Sequence, residues 1–269
     1  MWLWAFLLSP LIFYALILAF VFFAQTSLLF PSRSVPLAAP MPDRWQRLTI
    51  ESQTGHSLHG VHVPAVDRGA EPLLILGFGG NAWNAESAAA FLHEQFPEAD
   101  VVTFHYRGYA PSGGSPSASA LQKDAVAIHD WVRQRLSARR ILAVGFSIGS
   151  GVASHLASRR PIDGLILVTP FDSLADVARD HYPWLPVRWL FRHQMEPAQD
   201  LRATSVPVAI IAAGEDRLIR PERTRALARI VPRLVFDRTI AGASHNDIYE
   251  RSAFRIALDE AAGRLRVAD

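Results

Sequence analysis

The chain contains no cysteine and almost no lysine. Its 269 residues include 27 Lys and Arg, of which only Lys123 is a lysine, and 25 Asp and Glu. The absence of cysteine excludes a disulfide framework, a cysteine nucleophile, a zinc finger and an iron–sulfur protein. Basic and acidic residues are interspersed without a basic stripe, so we expect no nucleic-acid partner. Half of the residues are hydrophobic and 19% are charged, which excludes a wholly disordered chain.

Charge is also absent from the N-terminal segment. No charged side chain precedes Arg33, and residues 2–24 are apolar apart from Ser9 and Pro10. As a helix they would span roughly 34 Å, enough for the hydrocarbon core of a bilayer. A secretory signal usually has basic residues before a shorter apolar core, and neither is present. The sequence therefore predicts a transmembrane anchor over residues 1–27, the alternatives being a cleaved signal and a buried helix.

Flanking residues suggest how this anchor is oriented. Trp2 and Trp4 are predicted to lie at one membrane interface. The nearest positive residues all follow the apolar run, so the positive-inside rule favours a single-pass membrane protein with its main domain on the cytoplasmic side; they are Arg33, Arg44 and Arg47. An external domain is the alternative. Residues 31–44 hold four prolines, and residues 28–45 are predicted to be a linker.

Residues 46–269 alternate short apolar strands with helices. Strands are predicted over 47–52, 57–63, 73–78, 100–106, 141–146, 165–169, 208–212 and 234–240. Helices are predicted over 86–96, 118–136, 148–158, 222–230 and 248–265. This alternation predicts an α/β fold whose mostly parallel central sheet has helices on both faces. Residues 171–204 interrupt the alternation and form an aromatic, proline-containing insert.

The clearest chemical signal is the run Gly145-Phe146-Ser147-Ile148-Gly149. It lies where a predicted strand meets a predicted helix. A serine on such a tight turn exposes its hydroxyl, and the two glycines leave room for neighbouring backbone. The backbone N–H of Ile148 is predicted to point toward a developing oxyanion at the helix N-terminus. The alternative is a small-residue turn that only packs a helix on a strand.

A serine nucleophile requires a base, and the base requires a group that orients it. Of the ten histidines, His245 lies in a loop between the last predicted strand and the closing helix, at the sheet edge where ligand groups gather. The other nine have structural or surface explanations, although His181 and His193 in the insert are candidates for substrate contact.

The best acid candidate is Asp216, which directly follows a buried strand. Glu215 is adjacent to it and of suitable chemistry, and Asp172 after the preceding strand is a weaker competitor. The chain order Ser147, Asp216, His245 is the order expected of an α/β-hydrolase.

A second oxyanion donor is expected after the first core strand, where Gly79-Gly80-Asn81 occurs. We predict that the backbone N–H of Asn81 supplies it; the alternative is a glycine-rich helix entry without a catalytic role. The chain has neither a P-loop nor a G-x-G-x-x-G motif, so no nucleotide cofactor is predicted. No cofactor and no metal are expected.

Together these motifs resemble those of the α/β-hydrolase superfamily, from about Leu28 to the C-terminus. More narrowly, the chain is similar to the branch of single-span, membrane-tethered serine hydrolases that includes lipid and acyl-protein esterases. An anchor followed by LLFPSR, as at residues 28–33 of this chain, is typical of that branch. The branch usually has His-Gly-Asn-Ala where this chain has Gly79-Gly80-Asn81-Ala82. It usually has Asp-Tyr-Arg-Gly-Tyr-Gly where this chain has residues 105–110, HYRGYA.

The resemblance implies Ser147 as nucleophile, His245 as general base and acid, and Asp216 as the group that orients the histidine. It implies cleavage of carboxylic ester or thioester bonds through an acyl-enzyme, with the N–H groups of Asn81 and Ile148 holding the oxyanion. Alternative functions are a serine peptidase of the same fold and a non-catalytic binding protein.

The resemblance also implies that the insert covers the active site. Its residues Tyr182, Trp184 and Leu185 are predicted to contact a small acyl or lipid-like substrate. The alternative is that these side chains pack as a small satellite core.

Overall fold

The computed structural model describes residues 2–36, 40–67, 72–136 and 138–267, with side chains from Ser9 onward. Within these ranges the strands are β1 (Gln46–Glu51), β2 (Ser57–Val63), β3 (Leu73–Phe78), β4 (Asp100–Phe104), β5 (Arg140–Phe146), β6 (Gly164–Val168), β7 (Val208–Ala213) and β8 (Leu234–Ile240). The helices are α1 (Trp2–Leu29), α2 (Ala85–Gln95), α3 (Ala118–Arg135), α4 (Ile148–Arg159), α5 (Leu174–His181), α6 (Val187–Leu190), α7 (Pro197–Leu201), α8 (Pro221–Ala228) and α9 (Ser252–Val267).

The strands form one sheet in the order β1-β2-β4-β3-β5-β6-β7-β8. β2 pairs antiparallel with β1 and with β4, and every other pairing is parallel. The predicted mostly parallel sheet is therefore confirmed. Parallel strands buried on both faces have continuous apolar runs, and β3 shows why: Leu74 and Leu76 face one core, whereas Leu73 and Ile75 face the other.

Helices cover both faces of the sheet, as predicted. α3, α4 and α8 contribute to one core, and α2 and α9 contribute to the other. Side chains fix where two of them start: Ser117 accepts from the N–H of Ala120 at α3, and Asn84 accepts from the N–H of Ser87 at α2. The insert carries α5, α6 and α7 between β6 and β7, next to the carboxyl ends of the strands.

The C-terminal helix differs from its predicted bounds. A short 3₁₀ turn occupies Ile248–Glu250, and α9 begins only at Ser252. The N–H of Arg251 donates to the carbonyl of Ile248 and closes that turn. Apolar periodicity runs through the junction, so it could not reveal the break.

The N-terminal helix extends beyond its predicted end, to Leu29, and includes Pro10. Among the described residues, Ser9–Ser34 is long and apolar enough to cross a membrane, with a mean hydropathy of 2.1. The predicted interfacial side chains of Trp2 and Trp4 lie outside the described side chains.

The segment after α1 contacts the domain at several of its described residues. Phe30 is buried in the core, and Val35 packs against the same cluster. The side-chain amide of Asn84 donates to the carbonyl of Pro36 at 3.1 Å. Phe30, Val35 and Pro36, which lie within the predicted linker over 28–45, thus contact the domain.

Candidate active site

Ser147 lies on a strained turn between β5 and α4. Its backbone φ is 51° and its ψ is −117°, in the left-handed region that non-glycine residues rarely adopt. The N–H of Ser147 donates to the carbonyl of Val168 at 2.9 Å and holds the turn. The flanking glycines are required by space: a Cβ on Gly145 would lie 2.5 Å from the carbonyl oxygen of Gly149, and a Cβ on Gly149 would collide with the carbonyl of Phe78.

The structure brings the three predicted residues into one chain of hydrogen bonds. His245 Nε2 lies 2.9 Å from Ser147 Oγ, and His245 Nδ1 lies 2.7 Å from Asp216 Oδ2. All three residues are buried. The second carboxylate oxygen, Asp216 Oδ1, accepts from the N–H groups of Leu218 and Ile219 at 2.9 and 2.8 Å. These two donors fix the plane of the carboxylate, and the carboxylate fixes the imidazole.

The competing acids are placed elsewhere. Glu215 is exposed. Asp172 Oδ2 lies 3.2 Å from the guanidinium of Arg223 and its Oδ1 accepts from the N–H of Ser173. Of the three candidates, Asp216 alone contacts His245 within the described part of the chain.

The two predicted oxyanion donors border the same cavity as Ser147. Ile148 is the first residue of α4, and the first N–H groups of a helix have no intrahelical acceptor. Asn81 follows β3, and its side chain is held on both sides. Asn81 Nδ2 donates to the carbonyl of Leu29 at 2.5 Å, and its Oδ1 accepts from the hydroxyl of Tyr109 at 2.7 Å.

A second tyrosine fastens the same loop, because the hydroxyl of Tyr106 donates to the carbonyl of Gly79 at 2.7 Å. Burial raises the pKa of Tyr106 and of Tyr109, and the proximity of Tyr109 raises that of Tyr106 further. Both phenols therefore stay protonated as donors. Sequence reasoning missed these two tyrosines as supports of the Gly79–Asn81 loop, although both lie in the motif at residues 105–110.

The histidine that departs from that motif has a buried acidic partner. His105 Nε2 lies 2.8 Å from Glu86 Oε2 on α2, and both side chains are buried. Burial raises the pKa of Glu86, but the hydrogen bond and charge of His105, with a smaller effect of Arg47, outweigh it, and the net pKa is lowered. The histidine at position 105 thus forms a buried imidazole–carboxylate contact with α2.

We expect Glu86→Gln to lower the free energy of unfolding by about 2 kcal/mol, because it removes the carboxylate partner of a buried imidazole. The pKa of Glu86 in the folded state is below its ordinary value of 4.5. Its carboxylate therefore stabilises the fold fully above that value, and the stabilisation is lost as the pH falls through the folded-state pKa. Urea unfolding at about pH 5 and at about pH 3 measures the difference in stability between wild type and variant, which should shrink at the lower pH as Glu86 becomes protonated.

Glu94→Gln is the matched control on the same helix, because Glu94 forms an exposed pair with Arg255. Its effect should stay below about 1 kcal/mol. An effect of Glu86→Gln no larger than that of Glu94→Gln would contradict the assignment.

A cavity of about 490 Å³ opens at Ser147. The predicted substrate contacts Tyr182, Trp184 and Leu185 all line it, as does His181. His193 instead bonds to α1, with its Nε2 2.9 Å from Thr26 Oγ1. The described lining includes no Asp, Glu, Lys or Arg. Within the described ranges, no cluster of three or more His, Asp or Glu side chains is placed to hold a metal ion.

The mostly parallel sheet and the strand–Ser147–helix turn are features of the α/β-hydrolase class. A family model described as the α/β hydrolase fold matches residues 73–194. The chain belongs to this family, as its motifs predicted. An uncharacterized protein of Mycobacterium tuberculosis (strain ATCC 25618 / H37Rv) is 34% identical to it over 241 residues, which cover 86% of this chain and 84% of that protein.

Two further similarities extend the comparison. The lysophosphatidylserine lipase ABHD12 of Danio rerio is 35% identical over 138 residues, which cover 44% of this chain and 36% of that lipase. The aligned stretch is thus about a third of the lipase's length. Among solved structures, an esterase of Pyrococcus furiosus superposes with a TM-score of 0.69 at 17% identity and covers 87% of this chain and 97% of that chain. At this identity the likeness concerns the fold alone.

Proposed function

We propose that the chain is a membrane-tethered serine hydrolase that cleaves carboxylic ester or thioester bonds of single-chain, lipid-like substrates. The observation that carries the proposal is the hydrogen-bonded series Ser147–His245–Asp216 at the end of an apolar cavity. A hydroxyl paired to an imidazole, itself paired to a carboxylate, is the arrangement that activates serine for acyl transfer.

In the proposed mechanism Ser147 attacks the substrate carbonyl while His245 takes the hydroxyl proton. Asp216 keeps the imidazole oriented and stabilises its positive charge. The N–H groups of Asn81 and Ile148 hold the negative oxygen of the tetrahedral intermediate. His245 then donates the proton to the leaving group, and water activated by the same imidazole hydrolyses the acyl-enzyme.

The cavity lining supports an apolar acyl group. A peptidase that captured a substrate amine would need an acidic anchor, and the described lining offers none. The partial similarity to a lysophosphatidylserine lipase supports a lysophospholipid as the ester. We therefore propose a lipid with one acyl chain as the substrate, with Tyr182, Trp184 and Leu185 contacting that chain.

Fatty-acid release from lysophosphatidylserine by the detergent-solubilised whole chain tests this proposal. A lysophosphatidylserine, a simple acyl ester and an aminoacyl amide are compared at equal concentration. We expect release from both esters and little from the amide. Turnover of the amide but not of the esters would favour a peptidase, and no turnover together with no fluorophosphonate labelling would favour a non-catalytic protein.

We further propose that α1 is the membrane anchor and that the catalytic domain lies on the cytoplasmic side. Its length and hydropathy support the anchor, and the positive residues that follow it support the orientation. Because the chain has no cysteine, Asp67→Cys at an exposed position gives a single reactive thiol. A membrane-impermeant maleimide should label it only after the cells are lysed; labelling of intact cells would reverse the orientation.

A further inference from the structure

The N-terminal helix forms one wall of the cavity that opens at Ser147. Val21, Gln25 and Leu28 all line this cavity. Their spacing places them on one face of α1, because residues four and seven apart share a helix face. An anchor whose task ended at the bilayer would have no reason to border the active-site cavity.

Buried polar contacts fasten this face of α1 to the insert. Gln25 is 6% exposed. Its Nε2 donates to the carbonyl of Leu190 at 3.1 Å, and its Oε1 accepts from the N–H of Arg192 at 2.8 Å. The next residue, Thr26, bonds to His193 at 2.9 Å. A buried amide is tolerated only when it is hydrogen-bonded, so Gln25 ties α1 to one position on the insert.

Two contacts define which way the cavity runs along α1. At the C-terminal end, the carbonyl of Leu29 accepts from Asn81, beside Ser147. Nearer the N-terminus, the hydroxyl of Tyr14 donates to the carbonyl of Trp184 in the insert at 2.8 Å. Val21 lies about 12 Å along the helix axis from Leu29. A chain that starts at Ser147 and follows α1 therefore passes Leu28 first and Val21 later.

We infer that the face of α1 formed by Val21, Gln25 and Leu28 is the acyl-chain subsite and sets the acyl-chain length that the enzyme accepts. This inference rests on the proposed esterase function. The acyl group of the substrate, bound to Ser147 during turnover, lies between α1 and the insert. The helix proposed as the membrane anchor is thus also a specificity-determining part of the active site.

Substitution of Leu28 by Trp tests the subsite, with Leu16→Trp as the matched control. Both leucines are on α1 and are similarly exposed, at 64% and 63%, but Leu16 does not line the cavity. The measurement is kcat/KM for p-nitrophenyl esters from acetyl to hexadecanoyl with the whole chain in detergent. We expect Leu28→Trp to lower the ratio of dodecanoyl to acetyl kcat/KM at least about tenfold, and Leu16→Trp to leave it unchanged.

Val21→Trp adds a test of direction. Because Val21 is farther from Ser147, its substitution should remove activity only toward longer chains than those that Leu28→Trp rejects. Equal chain-length profiles for Leu28→Trp, Val21→Trp and Leu16→Trp would overturn the inference.

Fluorophosphonate labelling separates this inference from the proposed function. Labelled wild type with unchanged profiles in the variants would remove the subsite and leave the esterase proposal intact, whereas unlabelled wild type would remove the esterase proposal and the subsite that depends on it. If Leu28→Trp alone loses labelling, its chain-length profile cannot be measured, and Val21→Ala tests the subsite instead. The enlarged cavity should then raise hexadecanoyl relative to dodecanoyl turnover, and no change would overturn the subsite.

Discussion

Ser147→Ala is expected to abolish fluorophosphonate labelling of the whole chain and to lower ester hydrolysis by at least about 10⁴-fold. The Ser147 hydroxyl is the oxygen that lies 2.9 Å from the imidazole of His245, so its removal eliminates the atom that we propose attacks the substrate. The structure around it should persist, because the strained backbone at Ser147 is held by neighbouring backbone and not by the hydroxyl. Rates with a soluble acyl ester measure the effect.

Ser154→Ala is the matched control for this change. Ser154 is a buried serine two turns further along α4 and does not line the cavity. Its substitution should leave labelling and turnover within about twofold of wild type, as expected for a change that leaves the reacting groups in place. Persistent labelling of Ser147→Ala would show that the probe reacts at another residue, which would contradict the proposed mechanism.

Asp216→Asn is expected to lower kcat by about 10⁴-fold without unfolding the chain. In wild type one carboxylate oxygen accepts from the N–H groups of Leu218 and Ile219, and the other faces His245. An asparagine must keep its carbonyl oxygen toward those two donors, so its NH₂ group turns toward His245 Nδ1. The imidazole then carries its proton on Nε2 and cannot accept the proton of Ser147.

The large loss of kcat is expected only for the carboxylate that contacts His245. Glu215→Gln changes the adjacent, exposed acid and should alter kcat by less than about twofold. Thermal unfolding of both variants checks that the fold is retained. A small effect of Asp216→Asn, or a larger effect of Glu215→Gln, would move the orienting role to another acid.

The sequence predicts those residues of the candidate site that belong to local motifs. The strand–serine–helix turn at Ser147 depends on residues within a few positions of it. Asp216 and His245 each follow a core strand, and their order along the chain matched a known pattern. The sheet order was foreseeable only as mostly parallel, because strand neighbours depend on packing between distant segments.

The contacts of α1 could not be predicted, because they join residues far apart in the sequence. The hydrogen bonds of Gln25 reach Leu190 and Arg192. The available signal in the sequence was the single amide side chain of Gln25 beside a long apolar run. That signal does not indicate which residues the amide contacts. Proline content likewise predicts a linker but does not reveal that Phe30, just before the prolines, lies in the core. Composition describes how stiff a segment is, but not which surface covers its apolar side chains.

The involvement of α1 in the cavity has a consequence for preparing the protein in water. A fragment that starts after Leu29 would lack the cavity wall formed by Val21, Gln25 and Leu28. The amide of Asn81 would lose the Leu29 carbonyl that holds it, and a trough of apolar side chains would face solvent. Such a truncated chain would retain Ser147 but have a different pocket. Detergent or a lipid nanodisc around the intact chain is therefore a condition for measuring its native selectivity.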